Sequence, residues 1–268
     1  MNYDLLFVFI LWMLTITSVT VLSVHIIKKY PVYGFTTLTA LYVAYLLSSQ
    51  VIATRLSVYD FGTWFGHPLI FFAPAAAIIY SFISQVLDMI NEIYGRKKAV
   101  AAIIIALATQ VLFVIFIALA IKIPAAPYFE LEEAWVSLFG LIPGIIFASW
   151  IAFLICSLLD AYMFAYIKRK FKPKELAFKG NTFLNPYIWL RSLVTDAFSL
   201  ALDSIIFIII AFYFVGALPW EIVSGMIVGQ IVVKVFFGVA DTPWFVLYKK
   251  MLGKTGIHSQ DQADGQSI

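Results

Sequence analysis

The chain has 268 residues, 63% of them hydrophobic and only 12% charged, with a mean hydropathy of +0.96 and a formal charge of +3. A soluble domain carries about 25% charged residues and 45 to 50% apolar ones, so this composition excludes a soluble core and makes the surplus of base an orientation signal, not a nucleic-acid surface. The single cysteine, Cys156, excludes an intrachain disulfide.

Seven apolar runs are long enough to cross a bilayer. The first, 5–27, lacks a basic leading segment and a small-residue cleavage site, and reads as a retained span. The others cover 35–57, 68–93, 99–121, 139–167, 187–215 and 220–248. The expected fold is therefore an all-α membrane protein, a polytopic bundle of seven transmembrane helices. Residues 1–34 would form an N-terminal helix and basic turn, 35–250 the core, and 251–268 a disordered tail. Between runs, 124–138 sets Tyr128, Phe129 and Trp135 beside three glutamates and reads as an amphipathic segment on the interface. Residues 171–185 read as a basic loop. Lys and Arg gather at 28–29, 96–98, 168–179 and 249–254, while Asp60, His67, Lys122, Glu130, Glu132, Glu133 and Glu221 fall on the other side. By the positive-inside bias the first set is cytoplasmic, with the N terminus outside and the C terminus inside.

The third run carries Ser81, Ser84, Gln85, Asp88, Asn91 and Glu92 at helical spacing on one face, opposite Phe82, Ile83, Val86, Met89, Ile90 and Ile93. A stripe of this kind suits a wall between a cavity and lipid. The plainer reading makes Asn91 and Glu92 caps at the headgroups. Asp160 lies on the fifth run, Arg191, Asp196 and Asp203 on the sixth, and Lys234 and Asp241 on the seventh; Arg55 sits near the outer end of the second. Charges within a membrane cost a few kcal/mol each and mark functional sites or mutual pairs. Arg191 with Asp88, or Lys234 with Asp203, are the obvious pairs. Five acids against two bases leave acid in excess, to be protonated, hydrated or met by a ligand with donors. Helix breakers at Pro74, Pro143-Gly144 and Asp241-Thr242-Pro243, the last interrupting the seventh run, are consistent with a cavity.

Enzyme signatures are missing. His25, His67 and His258 are scattered, and neither a phosphate loop nor a serine elbow occurs. The expectation is no catalytic residue, no cofactor and no metal site, and nothing resembles a channel's carbonyl filter.

Several motifs in a fixed order then carry a resemblance. They are Asp88-Met-Ile-Asn91-Glu92-Ile-Tyr94-Gly95, Leu159-Asp160-Ala-Tyr-Met-Phe164 with Lys168, Arg191 followed by Asp203-Ser-Ile-Ile-Phe207, and Lys234 with Asp241-Thr242-Pro243. The chain resembles, over about 48–250, the vitamin-uptake transporter family, whose characterised bacterial members import the queuosine precursors 7-cyano- and 7-aminomethyl-7-deazaguanine. The resemblance implies a six-helix core, with the first span as an addition. It departs from the family pattern at Gln50 and Arg55, where Asn and Lys are favoured, and at Ser81 in place of proline. Ser157 and Leu200 replace glutamines, and Thr195-Asp196 replaces a Ser-Thr pair.

The resulting expectation is a plasma-membrane carrier that moves a small, flat, polar heterocycle inward through a midplane cavity. Gln50, Asp88, Asn91, Asp160 and Asp203 would bind the cargo. Arg55, Glu92, Arg191, Asp196, Lys234 and Asp241 would neutralise charge or couple transport. A carrier of another vitamin or nucleobase, or a membrane adaptor docking through the basic loop, are the alternatives. The expected partners are the small-molecule substrate and the lipid bilayer, with no nucleic acid; a homo-oligomer is compatible with the sequence.

Overall fold

The computed structural model describes residues 3–64, 66–140, 142–178 and 180–253. Of the expected disordered tail, 251–268, Met251 and Leu252 belong to the last helix, and the part from 254 onward, like Lys179, lies outside the described residues. Backbone surrounded by lipid must satisfy its own N–H and C=O groups, which favours helices. Six helices among the described residues are long and apolar enough to cross a membrane. They are α1 (Tyr3–Lys29), α2 (Pro31–Ile52), α3 (Tyr80–Lys122), α5 (Ile142–Ala177), α6 (Pro186–Ile208) and α7 (Trp220–Leu252); α4 (Glu132–Gly140) is short.

α3 contains two of the seven expected runs, joined at Gly95 with φ 74° and ψ 172°. A residue without a Cβ takes that positive φ with little strain. Tyr94, at the end of the first leg, places its hydroxyl 2.1 Å from where a Cβ on Gly34 would stand, near the start of α2. Gln110, on the second leg, accepts a 2.7 Å hydrogen bond from Gln50 near the end of α2. These contacts lie at opposite ends of one helix, so the chain reverses at Gly95 and makes seven passes. The second leg buries Ala99, Ala102, Ile103 and Ala106 in the same cluster as Leu38, Tyr42 and Leu46 of α2. Small side chains allow this close packing, which drives helix association where lipid competes with any apolar partner.

The stretch between α2 and α3 differs from expectation. In the sequence the second run extends to Ser57 and the third starts at Pro68, but β1 (Leu56–Trp64) and β2 (His67–Pro74) pair as an antiparallel hairpin, followed by a 3-10 turn at Ala75–Ile78. Pro74 therefore ends a strand and does not break a helix. Tyr80, the first residue of α3, lies under Lys234, near the middle of α7, with the ammonium 3.4 Å from its ring centroid. The first leg of α3, Tyr80 to Tyr94, is about 22 Å long at 1.5 Å per residue, short of the roughly 30 Å hydrocarbon layer. The hairpin and turn complete that pass. They pack on α7, where a Cβ on Gly229 would meet the Phe72 carbonyl oxygen at 2.4 Å, and on α1, whose Trp12 joins Tyr59, Ala73, Phe82 and Phe237 in one cluster. Trp12 Nε1 also donates to the Ile78 carbonyl oxygen and to Ser81 Oγ, each at 3.2 Å.

Two further boundaries are corrected. Residues 171–177 continue α5 through Pro173 instead of forming a loop. α7 runs unbroken through Asp241-Thr242-Pro243, so that motif does not interrupt it. α6 passes into a π-helical turn at Ile209–Val215.

The basic segments share one end of the bundle. Lys98 stacks over Phe35 at 5.1 Å and Arg96 over Tyr162 at 4.6 Å, while Lys168 and Lys249 both reach Glu92.

Candidate functional site

Three helices deliver carboxylates to one point. Asp88 of α3, Asp160 of α5 and Asp196 of α6 are 1%, 2% and 1% exposed, and one oxygen of each lies within 4.8 Å of the other two. Among the described residues, serines supply the hydrogen bonds: Ser199 Oγ donates to Asp160 Oδ1 at 3.2 Å and Ser192 Oγ to Asp196 Oδ2 at 3.1 Å. Both oxygens of Asp88, Oδ2 of Asp160 and Oδ1 of Asp196 have no hydrogen-bond partner. Asp241 of α7, 1% exposed and equally without a partner, is close enough to act electrostatically on Asp88 and Asp196. Among the described residues, none of the four takes part in an ion pair. Two unit charges 4.8 Å apart repel by about 3.5 kcal/mol even at an effective dielectric of about 20. The cluster therefore needs bound positive charge, as protons or as a cation.

Asp203, two turns along α6 from Asp196, has a different environment. It forms an ion pair with Lys234 of α7, whose ammonium also covers the Tyr80 ring. The pair of Lys234 with Asp203 is one of the two anticipated. Beside it lies a partly open cavity walled by Tyr80, Ser84 and Leu87 of α3, by Phe153, Cys156 and Asp160 of α5, and by Ser199, Leu200 and Asp203 of α6. The space among these atoms is about 380 Å³ including its mouth, of which the centre of a water molecule can sweep about 40 Å³. The swept volume is the one to set against ligand clefts, which begin at roughly 300 Å³; in this conformation the cavity admits water, and a flat bicyclic guest needs the walls to part.

At the basic end sits a third cluster. Arg191 of α6 does not meet Asp88, the other anticipated pairing. It reaches Glu92 of α3 at 2.8 Å and Glu175 of α5 at 2.7 Å, and Lys249 of α7 reaches Glu92 at 2.9 Å and also pairs with Glu175. Lys168 donates to the Glu92 carbonyl oxygen at 2.7 Å. The Arg191 guanidinium also stacks on Phe164 and Phe245, at 5.3 and 5.6 Å. Four passes are tied together here by two acids and three bases.

Residues 74–248 match the sequence family described as "Putative vitamin uptake transporter". The chain belongs to this family of vitamin uptake transporters. Over 175 residues, 65% of this chain and 71% of the other, it is 24% identical to a Bacillus subtilis (strain 168) protein named "Probable queuosine precursor transporter". No solved structure matches. The molecule is thus a multi-pass membrane transporter and not an enzyme.

Within the transporter, the expected site residues separate into several places. Asp160 and Asp203 line the cavity, while Asp88 and Asp196 adjoin it through Asp160. Asn91 is held by its amide, which donates to the Ala161 carbonyl oxygen at 2.8 Å and ties α3 to α5. Gln50 is engaged in a separate neutral network, donating to Gln110 and, at 3.0 Å, to Ser149. Arg55 is exposed in the turn between α2 and β1, just past the end of the second span. Tyr80, Ser84, Cys156 and Ser199 line the cavity but carry no charge that would single them out in the sequence. Glu175 and Lys249 were also missed; the lone acid among the bases of 168–174 was the available signal.

Proposed function

We propose that this transporter carries a guanine-like heterocycle of the queuosine-precursor class, 7-cyano- or 7-aminomethyl-7-deazaguanine, inward through the cavity between α3, α5 and α6. The observation that carries the reading is the combination of two carboxylates, several hydroxyls and flat apolar walls in one cleft near mid-bundle. The pairing edge of guanine offers a ring N–H and an exocyclic amine, a donor pair that a carboxylate accepts together; pockets for free bases combine such contacts with stacking. Asp160 supplies the acceptor, Ser84 and Ser199 read the carbonyl, and Phe153 and Tyr80 offer ring faces. Asp203 and Lys234 fix the wall opposite. The aminomethyl form would add a cation, again favouring carboxylate. The relative's name supports the substrate class.

A second reading, another nucleobase or vitamin on the same scaffold, is favoured by Ser157 and Leu200. Both depart from the family's glutamines and both line the cavity. We further take the basic end, around Glu92, to face the cytoplasm of the cell that carries the protein in its plasma membrane, with the N terminus outside. The working unit is taken to be the chain itself with its small-molecule cargo and lipid, without nucleic acid; assembly of copies is compatible with this reading.

The test is uptake of radiolabelled 7-cyano-7-deazaguanine by proteoliposomes holding the purified chain, competed with unlabelled purines and vitamins. Saturable uptake blocked by both deazaguanines supports the reading. Uptake of another base in their place selects the second reading, and no uptake of any of them removes both.

A further inference from the structure

We propose that Asp88, Asp160 and Asp196 form a binding site for a hard metal cation of about sodium or calcium size, set beside the cargo cavity and sharing Asp160 with it. Histidine and cysteine spacings in the sequence suggest no metal site; the three ligands instead come from three separate helices.

The geometry is the first support. Oxygens that share a cation of this size stand 2.3 to 2.6 Å from it, so any two can be at most about 5 Å apart. The three carboxylates fall within 4.8 Å of one another. Magnesium holds its ligands at about 2.0 to 2.1 Å in a strict octahedron and would need a tighter cluster. The donor set is the second support. Carboxylate and hydroxyl oxygens suit hard cations and offer nothing to softer ones. Ser192 and Ser199 already bond one oxygen each of Asp196 and Asp160, and leave the other oxygen bare.

Two observations independent of the clustering point to a ligand. Asp88 is 1% exposed, yet neither of its oxygens has a partner. Asp241, on a different helix, is buried to the same degree, equally unpartnered, and faces Asp88 and Asp196 electrostatically. A buried acid normally finds a base or several donors. The bases of the bundle interior are committed elsewhere: Lys234 to Asp203, and Arg191 and Lys249 to Glu92 and Glu175. Three carboxylates around one point with a fourth near enough to act on them, and no base among them in the described residues, make a pocket of negative charge walled from water. Because Asp160 also lines the cavity, an occupant of one site changes the charge seen by the other, which is the physical requirement for coupling cation and cargo. The inference rests on the transporter reading only for this last step; cation binding itself does not depend on what the cargo is.

The experiment uses the purified full chain in detergent, with thermal unfolding followed by tryptophan fluorescence. Sodium, potassium, magnesium, calcium and manganese chlorides are each titrated against choline chloride at constant ionic strength and pH 8. A saturable rise of about 5 to 10 °C at a hundredfold excess over the dissociation constant is expected for sodium or calcium. Whichever of the two acts identifies the ion. Asp88→Asn should raise the melting temperature without added cation, because it removes uncompensated charge, and should abolish the cation response; this variant is not at risk of failing to fold for want of a partner. Glu221→Gln, at the start of α7 and exposed, should keep the full response. No response to any cation between pH 6 and 9, or a response that survives Asp88→Asn, overturns the inference. The same samples are titrated with 7-cyano-7-deazaguanine. Stabilisation by the deazaguanine alone leaves the cargo reading standing and removes the cation site, while stabilisation by the cation alone does the reverse.

Discussion

Replacing Lys234 with methionine tests how dry the centre of the bundle is. Lys234 is 1% exposed, pairs with Asp203 and lies 3.4 Å above the Tyr80 ring centroid. Lys234→Met keeps the length of the side chain but strands the Asp203 carboxylate in a poorly solvated wall. Breaking a buried pair from one side costs about 3 to 5 kcal/mol, and the lost ring contact adds to this by up to about 2 kcal/mol. For a chain of this size that corresponds to a fall of roughly 6 to 28 °C in melting temperature. Asp203→Asn alone should cost less, since Lys234 keeps Tyr80. The double variant should recover much of the loss, because two neutral groups of similar volume leave no bare charge. The assay is thermal unfolding of all four proteins in one detergent, read as a double-mutant cycle. A coupling of about 2 kcal/mol or more is expected. Single variants that each cost under about 1 kcal/mol and simply add would mean that water screens the pair, and the argument for a desolvated cavity wall would fall.

Three further outcomes follow from the packing. Gly229→Ala pushes a methyl into the Phe72 carbonyl, 2.4 Å away, and should destabilise by about 1 to 3 kcal/mol; Gly225→Ala, one turn earlier with open space around it, should be neutral or stabilising by about 0.5 to 1 kcal/mol, so equal melting temperatures for the two would refute the hairpin's docking. Arg191→Gln removes the guanidinium from Glu92 and Glu175 while leaving Lys249 to both, and should cost about 3 kcal/mol, with Arg191→Lys recovering only part because it cannot bridge two acids bidentately. Cys156, the sole cysteine, lines the cavity, so saturating 7-cyano-7-deazaguanine should slow maleimide labelling of the native chain by about tenfold, the fraction left open when the site is about 90% occupied; unchanged labelling would place the cargo elsewhere.

The helical passes were legible because lipid imposes length and apolarity on any segment that crosses it. The hairpin was not. Strands usually announce themselves by alternating polar and apolar residues, yet β1 and β2 turn Tyr59 and Ala73 inward and Leu56, Val58, Ile70 and Phe72 outward. With oil on one side and protein on the other, both faces are apolar and the pattern merges with the neighbouring spans. The sixth run shows a different limit. Asp196 and Asp203 share a helix face, but seven residues separate them by about 10 Å along the axis. That distance puts Asp196 level with Asp88 and Asp160, and Asp203 level with Lys234. Periodicity reads the face and says nothing of what stands opposite at each height. For the same reason Glu92 could be recognised as polar lining but not as the hub of Arg191, Lys168 and Lys249.

The strand pair also bears on how such a carrier could open. A helix that moves a binding wall must bend or slide as a whole, because its hydrogen bonds run along its length. β1 and β2 satisfy their ladder within the single stretch Leu56–Pro74 and attach to Tyr80 through one short turn. They grip α7 by shape, at Gly229, with no ladder to it. The outer half of this pass is therefore a self-contained flap. Among the described residues, only side-chain contacts, such as Trp12 to the Ile78 carbonyl, hold it to its neighbours, so the end of the bundle away from the basic clusters carries a segment whose backbone ladder is independent of the helices, which the helix-only basic end lacks.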